Sequence, residues 1–216
     1  MTSAALTGID DGADDGADVE TLPHLWLTRE ASPVDLVAAE QAVEALLRAL
    51  GQDAGSEHLR DTPRRVAAAY AELLTPEPFT LTTFPNDGGY DELVLARDIP
   101  FRSLCEHHLL PFHGVAHIGY LPGERIVGLS KLARVLEHFA RGLQVQERLT
   151  RQIADCLMDS LRAKGVAVVL EAEHLCMSLR GVRATGSRTM TSALLGLHRQ
   201  DAATRQEFFA LAGFRA

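Results

Sequence analysis

The spacing of apolar positions along the chain changes from helical to alternating and back. Leu36, Val43, Leu46, Leu47 and Leu50 recur at helical spacing, with Ser32 and Pro33 placed as cap and first residue and Gly51 as the stop. A second helix is predicted at "DTPRRVAAAYAELL", with Thr62 as cap and Pro63 as first residue. From Pro76 to Gly89 three prolines, two glycines and an Asn-Asp pair read as a connecting loop. Alternation then takes over: "ELVLARDIPF" and "GVAHIGYLP" predict two strands. Leu132, Val135, Leu136 and Phe139 form the stripe of a third helix. A fourth, over about 143–164, aligns Leu149, Ile153, Cys156, Leu157 and Leu161 and stops at Gly165. "VAVVLEAEHLCMSL" predicts a long strand over 166–180, "RTMTSALLGL" a shorter one, and a last helix covers about 201–212. The core order is therefore strand, strand, helix, helix, strand, strand, an α+β arrangement preceded by N-terminal helices.

Charge divides the chain where periodicity does not. Residues 1–33 hold seven acids against Arg29 alone, while the remaining 183 carry 22 acids and 20 bases, so the net charge of −8 sits mostly in the first segment. "GIDDGADDGADVE" has too little apolar surface to offset its ordering entropy and is expected to be disordered. The expected organisation is an acidic tail over 1–31, an N-terminal helical region over 32–89 and a principal domain over 90–216. A nearly neutral body carries no electrostatic footprint for nucleic acid, so an anion would have to be held by a local cluster of bases. No apolar run approaches the roughly 20 residues that span a bilayer, and no basic flank with an apolar stretch opens the chain. Cytoplasm is the expected compartment. Three cysteines argue against a disulfide framework and leave metal or catalytic roles open.

The densest chemistry lies in "SLCEHHLLPFHG", residues 103–114. Cys105 and His108 give two soft ligands, whereas zinc takes three or four. If 166–180 is one strand, His174, Cys176, Ser178 and Arg180 share a face, and Cys176 supplies the third ligand. Three protein ligands with an open position is the catalytic zinc pattern, because bound zinc lowers the pKa of its water. His107 and His174 then stand beside the metal as proton carriers. The alternative is that Cys176 is plain core, as Cys156 is expected to be from its place on a helix stripe. His113 and His117, on a strand, are expected to be structural.

"GLSKLARVLEHFAR" puts Ser130, Lys131 and Arg134 on one face at a helix start, either a polyphosphate cradle or a solvated basic face. Arg180 adds a further cation. In "LQVQERL", Glu147 at a helix start either complements the dipole or accepts two hydrogen bonds from the edge of a guanine. Spacing leaves both alternatives open.

"SLCEHHLLPFHG", "GLSKLARVLEHFARGLQVQERLTRQIAD" and "EHLCMSLRGV", with "DTPRRVAAAY" before them and "TMTSALLG" after, together resemble the GTP cyclohydrolase I family. The resemblance runs from about Leu59 to the C-terminus with the blocks in order. It implies the tunnelling fold with an antiparallel sheet, GTP as substrate, and a homodecamer with active sites at subunit interfaces. It further implies zinc on Cys105, His108 and Cys176, and catalysis by His107 and His174. Glu147, helped by Gln146, would hold the guanine. Ser130, Lys131, Arg134 and Arg180 would hold the triphosphate and ribose, joined by Arg65 from a neighbouring subunit. The implied product is 7,8-dihydroneopterin triphosphate, with formate released, at the start of folate biosynthesis.

Overall fold

The computed structural model describes residues 33–214, together with the backbone of two short strands, β1 (Leu6–Thr7) and β2 (Leu25–Leu27). The acidic stretch expected to be disordered lies outside the described residues. The chain divides into two units, Glu30–Pro76 and Met1–Arg29 with Glu77–Ala216.

The smaller unit holds helices α1 (Leu36–Ala49) and α2 (Thr62–Leu74). The first begins later than expected. Asp35 caps it, accepting from the Ala38 N–H at 2.9 Å, while Pro33 precedes the helix and Ser32 lies outside the described residues. Its carboxylate serves the orphan amides at the onset of the apolar stripe, so no earlier cap is needed. Gly51 ends the segment at φ 75°, the left-handed conformation that a stop demands. Thr62 proves to be the first residue of α2 and not its cap. Asp61 holds the cap position, but its carboxylate pairs with Arg65 at 3.2 Å instead of the helix amides.

In the larger unit the proline-rich segment is not wholly a loop, since it carries β3 (Phe79–Leu81) and β4 (Thr83–Pro85). β3 buries Phe79 and Leu81 and pairs with β2 in the order β1-β2-β3. There follow β5 (Val94–Cys105), β6 (Pro111–Leu121), β7 (Arg125–Val127), α3 (Leu129–Ala140), β8 (Leu143–Gln144) and α4 (Gln146–Leu161). β9 (Gly165–His174), α5 (Leu175–Ser178), β10 (Thr189–Gly196), α6 (Leu197–Gln200) and α7 (Ala202–Leu211) complete the unit. The expected α+β order is present. β4 pairs with β7, and the principal sheet runs β10-β9-β6-β5-β8, antiparallel except for the parallel contact of β5 with β8.

Burial on both faces explains why β9 reads as an unbroken apolar run. Val166, Val168 and Leu170 meet the stripes of α3 and α4, whereas Ala167 and Val169 pack against Phe208 of α7. Fully buried stripe residues such as Leu132, Leu149 and Ile153 each contribute on the order of 2 kcal/mol by leaving water. The strands approach closely where β6 has no side chain: a Cβ on Gly114 would stand 1.9 Å from the Glu171 carbonyl oxygen. α4 stops at Arg162, held at φ 44°, before the glycine expected to end it.

One correction bears on the site. The strand expected over 166–180 ends at His174, and Leu175–Ser178 forms a single helical turn. The reason is a lack of partners. β6 pairs with β9 only as far as Phe112 opposite His174, one residue from its own start at Pro111, and β10 pairs only to Ala172. Beyond that point the backbone satisfies itself locally, with the Leu179 N–H donating to the Leu175 carbonyl at 3.0 Å.

Candidate active site

The turn between β5 and β6 presents Cys105, Glu106, His107 and His108 within four consecutive residues. It is tight: the Cys105 N–H donates to the Leu110 carbonyl and the Leu109 N–H to the Cys105 carbonyl, both at 2.9 Å. Closing it puts Leu109 at φ 55°, a left-handed conformation that costs a non-glycine residue about 1–2 kcal/mol. The turn is also tied sideways, because the Glu106 N–H donates to the Gln144 carbonyl at 3.0 Å.

Cys105 Sγ lies 3.7 Å from His108 Nδ1 and 3.9 Å from His107 Nδ1. Cys176 comes to the same place from α5, so that one ligand atom each from Cys105, His108 and Cys176 falls within 4.8 Å of the others. The trio therefore converges through a helical turn, not through the strand alternation that first suggested it. All three cysteines are free thiols. Burial and the neighbouring Cys105 sulfur push the Cys176 thiol up, with Arg180 pulling it partly back. Two thiols and an imidazole are a donor set for a borderline-soft divalent ion such as zinc and a poor one for calcium or magnesium, which take oxygen ligands. Cys156 is a different case. It sits against the core on α4, and burial raises its thiol to about 11, as expected of an inert residue.

His107 is largely exposed, with Nε2 3.9 Å from Glu106 Oε1. Glu106 is itself gripped by Arg148, whose hydrogen bond holds that carboxyl below the usual range. Arg148 Nε also donates to Gln144 Oε1 at 2.9 Å, and its Nη2 donates to the Leu143 carbonyl, likewise at 2.9 Å. His174, at the end of β9, stacks face to face on Phe112 with ring centres 4.7 Å apart. Its Nε2 lies 2.8 Å from Gln146 Oε1. Burial lowers the pKa of His174, and the Glu147 carboxylate partly opposes it. These supporting contacts were invisible in the sequence. Phe112 reads there as one more strand residue, and Arg148 as one more helix cation.

The remaining candidates lie as follows. Glu147 is exposed in the first turn of α4, and its carboxylate has no hydrogen bond or ion pair among the described residues. Ser130 and Arg134 are exposed and Lys131 half-buried at the start of α3; Arg180 is exposed just beyond α5. None of these four side chains has a hydrogen bond or ion pair among the described residues, whereas Arg148 and Arg65 both have carboxylate partners. Arg65 lies on α2, in the other unit. His113 is exposed, and His117 is buried with its ring edge against Phe214. No helix of the described residues is long and apolar enough to cross a membrane.

Residues 39–213 match the GTP cyclohydrolase I family. The chain is 54% identical over 180 residues to GTP cyclohydrolase 1 of Streptomyces coelicolor, covering 80% of this chain and 88% of that one. Against GTP cyclohydrolase 1 of Dehalococcoides mccartyi the identity is 50% over 182 residues, covering 82% and 96%. For the protein of the same name from Aquifex aeolicus it is 51% over 178 residues, covering 82% and 97%. The sheet and helix order is consistent with the tunnelling fold expected from the sequence, and the chain belongs to the GTP cyclohydrolase I family.

Proposed function

We propose that the chain hydrolyses and rearranges GTP to 7,8-dihydroneopterin triphosphate and formate, the opening step of folate and pteridine biosynthesis. The observation that carries this reading is the convergence of Cys105, His108 and Cys176, in a chain of this family, beside two histidines that are not needed as ligands. Those three residues would hold zinc, which when bound supplies Lewis acidity and a supply of activated water near neutral pH.

The chain's own residues do the rest. Glu147, exposed at the start of α4 with no hydrogen bond or ion pair among the described residues, accepts from the N1–H and 2-amino group of guanine. Ser130, Lys131, Arg134 and Arg180 carry three positive charges and a hydroxyl whose side chains have no hydrogen bond or ion pair among the described residues, which suits a triphosphate and its ribose. Arg65 joins them from a neighbouring subunit of a cytoplasmic homodecamer, breaking its pair with Asp61 to do so. His107 and His174 move protons to and from the purine and the opening ribose. Arg148 holds Glu106, and with it the turn that carries His107.

Product analysis tests this. Incubation with GTP should release one formate per GTP consumed and, after oxidation, yield a fluorescent pterin. Consumption of GTP with release of phosphate and no formate would refute it.

A further inference from the structure

We infer that Gln146 is a positioning residue that fixes the ring of His174, with Nε2 as the donor of the hydrogen bond between them and Nδ1 left without a partner among the described residues. The inference rests on the function proposed above only for the identity of the substrate.

Gln146 is 2% exposed at the start of α4. Its amide nitrogen lies 3.0 Å from the Leu170 carbonyl oxygen of β9 and 3.0 Å from the Thr189 carbonyl oxygen of β10. It also lies 3.1 Å from Thr191 Oγ1. A backbone carbonyl only accepts, so the NH₂ group must face this pair. Turning the amide over would set Oε1 against two carbonyl oxygens in a buried pocket, acceptor against acceptor, and forfeit both hydrogen bonds of the NH₂ group. The orientation is therefore determined by β9 and β10. Thr150 ties the same residue through its main chain: its hydroxyl donates to the Gln146 backbone carbonyl at 2.7 Å and lies 2.6 Å from Thr191 Oγ1.

With the NH₂ so committed, Oε1 is the end that meets His174 Nε2 at 2.8 Å. Oε1 carries no hydrogen, hence Nε2 must supply it. Stacking on Phe112, with ring planes 4° apart, prevents the imidazole from tipping out of this contact. Nδ1 has no hydrogen bond among the described residues. The adjacent pair "QE" thus has two distinct duties, the Gln146 amide turned inward to the histidine and the Glu147 carboxylate outward.

Magic-angle-spinning nitrogen NMR of the whole assembly, labelled with ¹⁵N-histidine, reads the tautomer directly, with His174 assigned by its loss in His174→Ala. The wild type at neutral pH should show His174 with a pyrrole-type Nε2 and a pyridine-type Nδ1. A His174 signal of the opposite tautomer overturns the inference, whether or not the protein turns over GTP, so the two failures are distinguishable. Gln146→Met keeps the side-chain length and removes both amide functions. It should lower kcat on the order of a hundredfold, the scale of a misplaced catalytic side chain, with KM for GTP within about threefold and metal retained. An unchanged kcat in Gln146→Met would also overturn it. Should that variant fail to fold, the wild-type spectrum alone decides.

Discussion

Two glycines on β6 test how closely the sheet and the site are built together. Gly114 pairs with Ala172, two positions along from the Phe112–His174 pair, and a Cβ there would meet only backbone: the Glu171 oxygen at 1.9 Å and Ala172 Cα at 2.7 Å. Ordinary contact begins at 3.4 Å, so Gly114→Ala must spread β6 from β9 by about 1.5 Å. Overpacking of that kind costs about 1–3 kcal/mol, and one or two ladder hydrogen bonds lost with it add about 1 kcal/mol each. A total near 3–4 kcal/mol lowers Tm by roughly 10 °C in a chain of this size. Gly119, on the same strand, differs in what it meets. Its Cβ would stand 2.9 Å from Phe208 Cδ2 and 3.1 Å from Leu93 Cδ1, both side chains that can retreat a few tenths of an ångström. Gly119→Ala should cost about 1 kcal/mol, partly offset by the stiffer unfolded chain. Thermal melts at one fixed protein concentration, paired with GTP turnover at 25 °C, make the comparison. Gly114→Ala should melt far lower and lose turnover through displacement of Phe112 and His174, while Gly119→Ala stays within about 4 °C and keeps its rate. If Gly114→Ala melts as close to wild type as Gly119→Ala, the close approach of β6 and β9 is not as described.

Three further outcomes are expected. Cys176→Ser should lose metal and turnover together, whereas His174→Ala should keep its metal and lose most activity; metal analysis of both purified variants separates ligand from proton carrier. Glu147→Ala should cost GTP about a hundredfold in kcat/KM, and inosine triphosphate less, because that nucleotide has only one of the two donors to lose; kinetics on both nucleotides check it. Burial lowers the pKa of His117, with Asp98 and Glu171 opposing and Arg97 assisting, and its Nδ1 is buried without a partner among the described residues. The folded state thus prefers the neutral ring, so stability is fullest above the unfolded pKa of about 6.5 and falls as pH drops below it. His117→Leu should flatten that acid slope in denaturant titrations at pH 7.5 and 5.5, and an unaltered slope would count against the assignment.

Much of the architecture is legible because it is written in local periodicity. The stripes of α3 and α4 and the alternation of β5 and β6 need only neighbouring residues to be read. The grouping of Cys105, His108 and Cys176 is legible for another reason, since few residue types bind soft metals and the chain offers few of them. What escapes the sequence depends on partners distant along the chain. β9 stops at His174 because β6 begins at Pro111, and nothing within "EHLCMSL" says so. β3 and β4 hide among prolines because each is three residues long and exists only through β2 and β7. α1 starts later than Ser32 suggests because Asp35 caps it, while α2 starts at Thr62 after Asp61, whose carboxylate goes to Arg65 and not to the helix amides. Gln146, expected from the resemblance to help Glu147 with the guanine, is buried with its amide among the carbonyls of β9 and β10 and against His174, contacts that no local spacing announces.

A zinc titration of metal-stripped protein, followed by formate release from GTP, tests the central claim most directly. Formate production should be near zero without metal, rise in proportion to zinc added, and level off at about one equivalent per chain, as a single three-ligand centre requires. Full formate production by the stripped protein, or none at any zinc level, would contradict the account.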